Sequence, residues 1–139
     1  MRVASAHAGD RPVLAVRRGD TDAYVDVSAV DASLGTDVGA LLAGGEDWRD
    51  RVEAGLPSAP PVGGTGFPPL VVRPPKLLCL GLNDVDHAQE GNFPVPDYPA
   101  VFARVASSLI GHRQPMLRPP ESEQLDYEVE LGVVVGRGG

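Results

Sequence analysis

The first third of the chain shows two short apolar runs separated by a polar segment. Residues 12–16 are continuously apolar, and residues 23–27 alternate in part between apolar and polar side chains. The segment between them is polar and contains Gly19. Two short runs that favour β structure on either side of such a loop predict a β-hairpin.

The next residues show helical spacing. Residues 37–43 are mostly apolar and are followed by two glycines, which predicts a short helix with a glycine stop. A second short helix is predicted over residues 47–54. There Trp48 and Val52 are four residues apart and share one face, which we expect to pack into a core. The hairpin and the helices together predict a small α/β domain over residues 1–56.

Composition changes sharply over residues 57–75. This segment holds seven prolines, with a glycine-rich run at residues 63–66. Proline restricts φ and lacks an amide donor, so we predict an extended linker. The glycines are not followed by the Gly-Lys-Ser/Thr of a phosphate-binding loop, and no nucleotide site is predicted there.

The second half alternates between apolar runs and loops. Residues 76–82 are apolar and lie between prolines and Asn83, a pattern typical of a buried strand. Asn83 or Asp84 can cap a short helix that Gly91 would end. The clearest predicted strand of the chain covers residues 125–135.

Composition narrows the functional classes. The chain has 139 residues and a net charge of −7, which argues against non-specific binding to nucleic acids or anionic membranes. A single cysteine, Cys79, excludes an intrachain disulfide framework. No apolar run approaches the roughly 18 residues of a membrane span, and residues 1–10 lack the apolar stretch of a secretory signal. We therefore expect a cytoplasmic protein with no nucleic-acid or membrane partner.

The last predicted strand carries an acidic face. Asp126, Glu128 and Glu130 alternate with apolar residues, so a strand would place these carboxylates on one side. Carboxylate oxygens two residues apart can converge on a hard divalent ion such as Mg²⁺, Mn²⁺ or Ca²⁺. The alternative is a half-buried strand with a solvated acidic face. Because residues 132–135 continue without charge, the acids border an apolar region, where a metal ion would compensate them.

A second constellation lies on the predicted helix before Gly91. His87 and Glu90 are three residues apart and can touch across one helical turn. A carboxylate beside an imidazole selects its tautomer and raises its basicity, which suits a general base. The alternative is an incidental pair on a surface turn.

Taken in order, several segments of the second half resemble the fumarylacetoacetate hydrolase family. The spacing is continuous over about residues 74–136, and the first half is similar only loosely to the small N-terminal domain of many bacterial members. The segments that carry the resemblance are residues 76–83, 87–90, 94–96, Phe102, Ser107, 109–111 and 122–136.

The resemblance implies an α+β, β-rich fold. The small α/β domain of residues 1–56 and the linker of residues 57–75 would precede the beginning of a mixed β-roll at residues 76–139. It also implies a divalent-metal-dependent hydrolase that cleaves C–C bonds in acylpyruvate, β-diketo or 2-oxo acids. Decarboxylases and isomerases of the same family are alternatives. The expected partners are such a small acid and a second copy in a homodimer.

Roles for individual residues follow from the same resemblance. Glu128 and Glu130 would bind Mg²⁺ or Mn²⁺, with Ca²⁺ as a further candidate. His87 and Glu90 would lie on a lid that orders over the substrate and activates water. The substrate-binding positions would be Arg104 and Ser107.

The chain departs from the family pattern in several places. Asp84 stands where an aromatic residue is usual, Arg104 stands where lysine is common, and residues 105–106 replace a common Pro-Pro. The family fold continues beyond this length and places a third metal carboxylate there. We therefore expect a truncated enzyme whose 139 residues alone are inactive. A non-catalytic remnant or binding protein, or a domain with a purely structural acidic strand, is the alternative.

Overall fold

The computed structural model describes residues 1–19, 21 and 23–136. Two compact units form within them. The first comprises Met1–Val72 with the segment from Ile110 onward, and the second comprises Arg73–Leu109. Both combine short strands with short helices, which confirms the α+β, β-rich class. The domain bounds predicted from the sequence stay predictions.

An antiparallel sheet organises the first unit. Its strands are β1 (Arg2–Ala8), β2 (Arg11–Arg17), β3 (Val25–Asp26) and β4 (Thr65–Gly66), in the order β3-β2-β1-β4. The predicted hairpin is present as the pairing of β2 with β3. β2 also pairs along its whole length with β1, and Gly9 (φ 64°) supplies the left-handed conformation that the tight turn between them requires.

Short helices cover one face of this sheet. After 3₁₀ turns at Val27–Ala29 and Ala32–Leu34 come α1 (Val38–Ala43), α2 (Trp48–Gly55) and a 3₁₀ turn at Leu56–Ser58. The last residue before α1 caps it, since the Asp37 carboxylate accepts a hydrogen bond of 3.1 Å from the backbone N–H of Ala40. Both helices predicted from the sequence are confirmed.

The core lies on both faces of β2. Leu14 and Val16 point toward the helices, whereas Val13 and Ala15 point to the opposite side, and all four are fully buried. The predicted packing of α2 is confirmed, because Val52 is buried and Trp48 lies against the same cluster. The buried residues of that cluster are Leu14, Val16, Val27, Leu34, Val38, Leu41 and Val52.

The buried carboxylate of Asp26 connects β2 to the 3₁₀ turn at Val27–Ala29. Asp26 is 1% exposed and accepts hydrogen bonds from Arg11 Nη2 (2.7 Å) and the backbone N–H of Ala29 (3.1 Å). The Ser28 hydroxyl donates to Oδ1 of Asp26, the same oxygen that accepts the bond from Ala29, whereas Arg11 contacts Oδ2. With these donors the buried charge is compensated, as burial requires.

The proline-rich segment predicted as a linker contacts the sheet repeatedly. The backbone N–H of Asp26 donates to the Pro60 carbonyl (2.8 Å), and that of Val62 donates to the Tyr24 carbonyl (2.9 Å). Further along, β4 pairs with β1, and the Phe67 ring meets the Tyr24 ring edge-on. Most of this segment therefore belongs to the first unit, and its regular structure is limited to β4 and the end of the 3₁₀ turn at Leu56–Ser58.

Asp31 connects the second 3₁₀ turn to α2. Its carboxylate accepts hydrogen bonds from the Ser33 hydroxyl and from Arg51 Nε (3.0 Å) and Nη2 (2.9 Å). The bond from Ser33, followed by those from Arg51, holds the pKa of Asp31 below its ordinary value of 3.8. The unfolded state therefore takes up this proton first as the pH falls. The stabilisation is complete above the ordinary pKa and is lost as the pH drops through the folded-state pKa.

We expect Asp31→Asn to destabilise the first unit at neutral pH and to lose most of that effect in acid. The free energy of urea unfolding of the variant and the original chain, followed by Trp48 fluorescence, should differ more at about pH 7 than at about pH 2. Asp10→Asn, in the exposed β1–β2 turn, is the matched control. An equal difference between the two chains at both pH values would contradict the role of Asp31.

The second unit is a two-stranded ribbon with one helix. β5 (Leu77–Gly81) pairs antiparallel with β6 (Ala100–Arg104), and α3 (Val85–Glu90) follows β5. The predicted strand and helix are both confirmed, but the strand is not buried as predicted. Leu78 is 61% exposed and Leu80 is 44% exposed, because no further described strand or helix covers that face.

The predicted strand over residues 125–135 is wrong for the described structure, which assigns no strand there. Tyr127, Val129 and Leu131 are 78%, 94% and 92% exposed. Alternation of apolar and polar residues gives a strand one apolar face. The strand backbone also needs hydrogen bonds from a neighbouring strand. No described strand pairs with this segment. Among the described helices, none has the length and apolar character to cross a membrane.

Candidate functional site

His87 and Glu90 both lie on α3 of the second unit. Asp84 precedes the helix in extended conformation (φ −111°, ψ 131°), and its Oδ1 accepts a hydrogen bond of 3.0 Å from the backbone N–H of His87. The two site residues are three positions apart, so they lie on neighbouring positions of one helical turn, and both are exposed. This arrangement gives an imidazole and a carboxylate access to a ligand in solvent.

Arg104 and Ser107 lie in the same unit as α3. Arg104 ends β6 opposite Leu77, and Ser107 belongs to a 3₁₀ turn at Ala106–Ser108. Both residues are exposed and available to an anionic ligand. A guanidinium can pair with a carboxylate through two parallel hydrogen bonds, which a lysine cannot do.

Glu128 and Glu130 belong to the first unit, in the segment that lacks strand structure. Both are exposed. Nearby, Asp126 Oδ1 accepts a local hydrogen bond of 2.8 Å from the backbone N–H of Tyr127. Their carboxylates have the donor chemistry for Mg²⁺ or Mn²⁺. Within residues 1–19, 21 and 23–136, however, no group of three or more His, Cys, Asp or Glu side chains could hold a metal ion.

A shallow cavity between the end of β5 and the loop before β6 was not anticipated from the sequence. It has a volume of about 240 Å³ and is lined by residues 81–83 and 95–99. Leu82 lies there in the left-handed region (φ 53°), a conformation that a bulky side chain rarely adopts. Asn83, Asp97 and Tyr98 bring polar groups to its edge. Only the three prolines of residues 91–99 marked this loop in the sequence.

Comparison with known proteins defines the class of this chain. Residues 76–139 match the family model described as the C-terminal domain of fumarylacetoacetate (FAA) hydrolase. That span contains the segments on which the sequence resemblance depends. Residues 76–139 therefore belong to the fumarylacetoacetate hydrolase family.

Individual relatives extend the similarity across both halves of the chain. Over 132 residues, 92% of this chain, it is 37% identical to the human mitochondrial oxaloacetate tautomerase FAHD2A. It is 32% identical to the mitochondrial oxaloacetate tautomerase fahd2 of Xenopus laevis over 144 residues, which cover the whole chain and 45% of that protein. An uncharacterised protein of Methanocaldococcus jannaschii is 42% identical over 66 residues, covering 48% of this chain and 28% of its own length. The chain spans 42% of the length of the human relative.

Proposed function

We propose that the chain contributes to a 2-oxo acid tautomerase that interconverts the keto and enol forms of oxaloacetate. The observation that carries this proposal is the 37% identity over 92% of the chain to a protein named an oxaloacetate tautomerase. Because the similarity includes residues before position 76, it extends beyond the span of the family model. The proposal selects the isomerase alternative over the C–C bond hydrolase expected from the sequence.

Keto–enol exchange requires only proton transfers. The C3–H bond of the keto acid breaks, its electron pair forms the C2=C3 double bond, and the C2 oxygen gains a proton. We assign the C3 proton to the imidazole of His87, because imidazole is the side chain that most often serves as a general base in enzymes. Glu90, on the same turn of α3, would orient that imidazole and stabilise its charged form.

In this proposal, residues of the second unit bind the dianionic substrate. The Arg104 guanidinium would pair with a carboxylate of the substrate, and the Ser107 hydroxyl would donate a hydrogen bond. When bound by Glu128 and Glu130, Mg²⁺ or Mn²⁺ would supply a Lewis acid that lowers the energy of the enolate. The homodimer expected from the sequence remains part of the proposal.

Hydrolysis of acylpyruvates is the second candidate, because the matching family model is described by the hydrolase name. Oxaloacetate enolisation and acylpyruvate cleavage can both be followed by the loss or gain of enol absorbance. The assay should compare the 139-residue chain with any longer product that its coding sequence encodes after Gly139. Faster keto–enol exchange without acylpyruvate cleavage supports the tautomerase. Cleavage alone supports the hydrolase, and no acceleration of either reaction contradicts both.

Metal binding provides an independent prediction. We expect Glu128→Ala and Glu130→Ala each to weaken Mn²⁺ binding at least about tenfold, because either change removes one carboxylate of the Glu-x-Glu motif that these two residues form. Titration with Mn²⁺ alone, followed by water-proton relaxation, measures the affinity. Glu121→Ala removes an exposed acid outside the Glu-x-Glu motif and serves as the control. Unchanged affinity in both motif variants would remove the metal site from the proposal.

A further inference from the structure

We propose that Asp84 and Asn92 are positioning residues that hold the turn bearing His87 and Glu90 in helical form. The inference deepens the proposed tautomerase function and rests on it for its catalytic consequence. It also gives a physical role to Asp84, one of the positions at which this chain departs from the family pattern. Its structural basis is a helix capped at both ends.

The N-terminal cap acts on a site residue directly. Asp84 has the extended backbone of an N-cap, and its carboxylate accepts the hydrogen bond from the backbone N–H of His87 at 3.0 Å. The Asp84 carbonyl meanwhile accepts the first bond of the helix, from the backbone N–H of Ala88 at 3.1 Å. An aromatic side chain at this position would provide no such acceptor. The capping bond therefore fixes the backbone from which the His87 side chain projects.

The C-terminal end closes with a Schellman motif. Asn92 takes the left-handed conformation (φ 54°), and its backbone N–H donates to the Gln89 carbonyl at 3.0 Å. The backbone N–H of Phe93 donates to the Ala88 carbonyl at 2.8 Å, which completes the pair of bonds that defines this motif. Ala88 is fully buried. Asparagine is, after glycine, the residue best suited to this left-handed position.

These caps matter because α3 is short. An isolated helix of six residues is not stable in water, because the free-energy cost of forming its first turn exceeds the stabilisation that its few hydrogen bonds provide. One side-chain capping bond at the N-terminal end and the two Schellman bonds at the C-terminal end satisfy backbone groups that would otherwise need water. Without them the turn would unwind, and the spacing that places His87 beside Glu90 would be lost. A displacement of about 1 Å in a catalytic group is enough to cost about 100-fold in rate.

The structural part is tested on the 139-residue chain by NMR. Helical ¹³Cα shifts over residues 85–90 should be present in the original chain. The ratio of helical to unwound turn should fall about fivefold in Asp84→Ala and in Asn92→Ala. Asp84→Ser and Asn92→Gly keep a capping oxygen and a left-handed residue, and should restore the shifts. Gln89→Ala, an exposed change within α3, is the matched control. Absent helical shifts in the original chain, or unchanged shifts in both alanine variants, would overturn the inference.

The catalytic part uses whichever form of the protein shows oxaloacetate tautomerisation. Asp84→Ala should lower kcat about fivefold or more while changing KM less than twofold, and Asp84→Ser should restore kcat. A loss of helical shifts with kcat unchanged would refute the positioning role. No tautomerisation in any form would refute the proposed function, whereas the NMR result would still decide whether the caps hold α3.

Discussion

Replacing His87 with alanine should lower the rate of the proposed oxaloacetate tautomerisation by about 10²–10⁴-fold, the usual contribution of a general base, in whichever form of the protein shows that reaction. The residue lies on α3, where its imidazole is exposed and its backbone N–H is held by Asp84. Alanine retains the helix, so the loss should fall on kcat rather than on folding. Mn²⁺ affinity, measured in the same preparation, should remain within twofold of the original value.

His7→Ala is the control for His87→Ala, because it removes an imidazole from β1 of the first unit. Its rate should equal that of the original chain. If His87→Ala retained its rate, the imidazole would have no part in proton transfer. If it lost both rate and Mn²⁺ affinity, its role would be in the metal site. Either result would require a different base.

Leu14→Ala should lower the free energy of unfolding of the first unit by about 2–5 kcal/mol, the cost of removing a buried leucine from a packed core. Leu14 has no exposed surface and lies in the cluster that the helices close. Since whole domains are stable by only about 5–15 kcal/mol, such a loss takes much of the available stability. Urea unfolding followed by the fluorescence of Trp48, which packs on this cluster, measures it.

The matched control is Leu78→Ala, the same substitution at a residue that is 61% exposed. Its effect on Trp48-detected unfolding should stay within about 0.5 kcal/mol, as for surface substitutions. Equal losses in the two variants would show that Leu14 is not in a packed core. A small loss at Leu14 and a large one at Leu78 would reverse the assignment of the core.

The part of the candidate site on α3, His87 and Glu90, can be predicted from the sequence because its signals are local. An aspartate, a short run and a glycine predict α3, and the spacing of His87 and Glu90 then places them on one turn. The Schellman motif with Asn92 in the left-handed conformation was not predicted, because the sequence indicated Gly91 as the residue that ends the helix. The prediction that Glu128 and Glu130 bind a metal ion together depends on a strand at residues 125–135. That strand needs a partner elsewhere in the chain, and the described structure contains none for it.

Long pairings limited the prediction of the sheet in the same way. The β2–β3 hairpin was predicted from its two apolar runs. The β1–β2 hairpin is equally local, but β1 was not predicted because its alternation of apolar and polar residues is weak. The two-residue β4 lies among prolines that indicate a linker. Its pairing with β1 links positions almost sixty residues apart. Such contacts depend on which surfaces meet after folding, which no short window of sequence contains.

Neighbouring residues were sufficient to establish the capped helices, the apolar run of β2 and the resemblance to the fumarylacetoacetate hydrolase family. Each of these depends on spacing, caps or motif order over a few positions. The folded chain was needed to show that β2 is buried on both faces, that one face of β5 is exposed, and that residues 125–136 form no strand. Residues distant in sequence cover an apolar segment and form its sheet hydrogen bonds. The same apolar pattern can therefore be buried in a core or exposed to solvent.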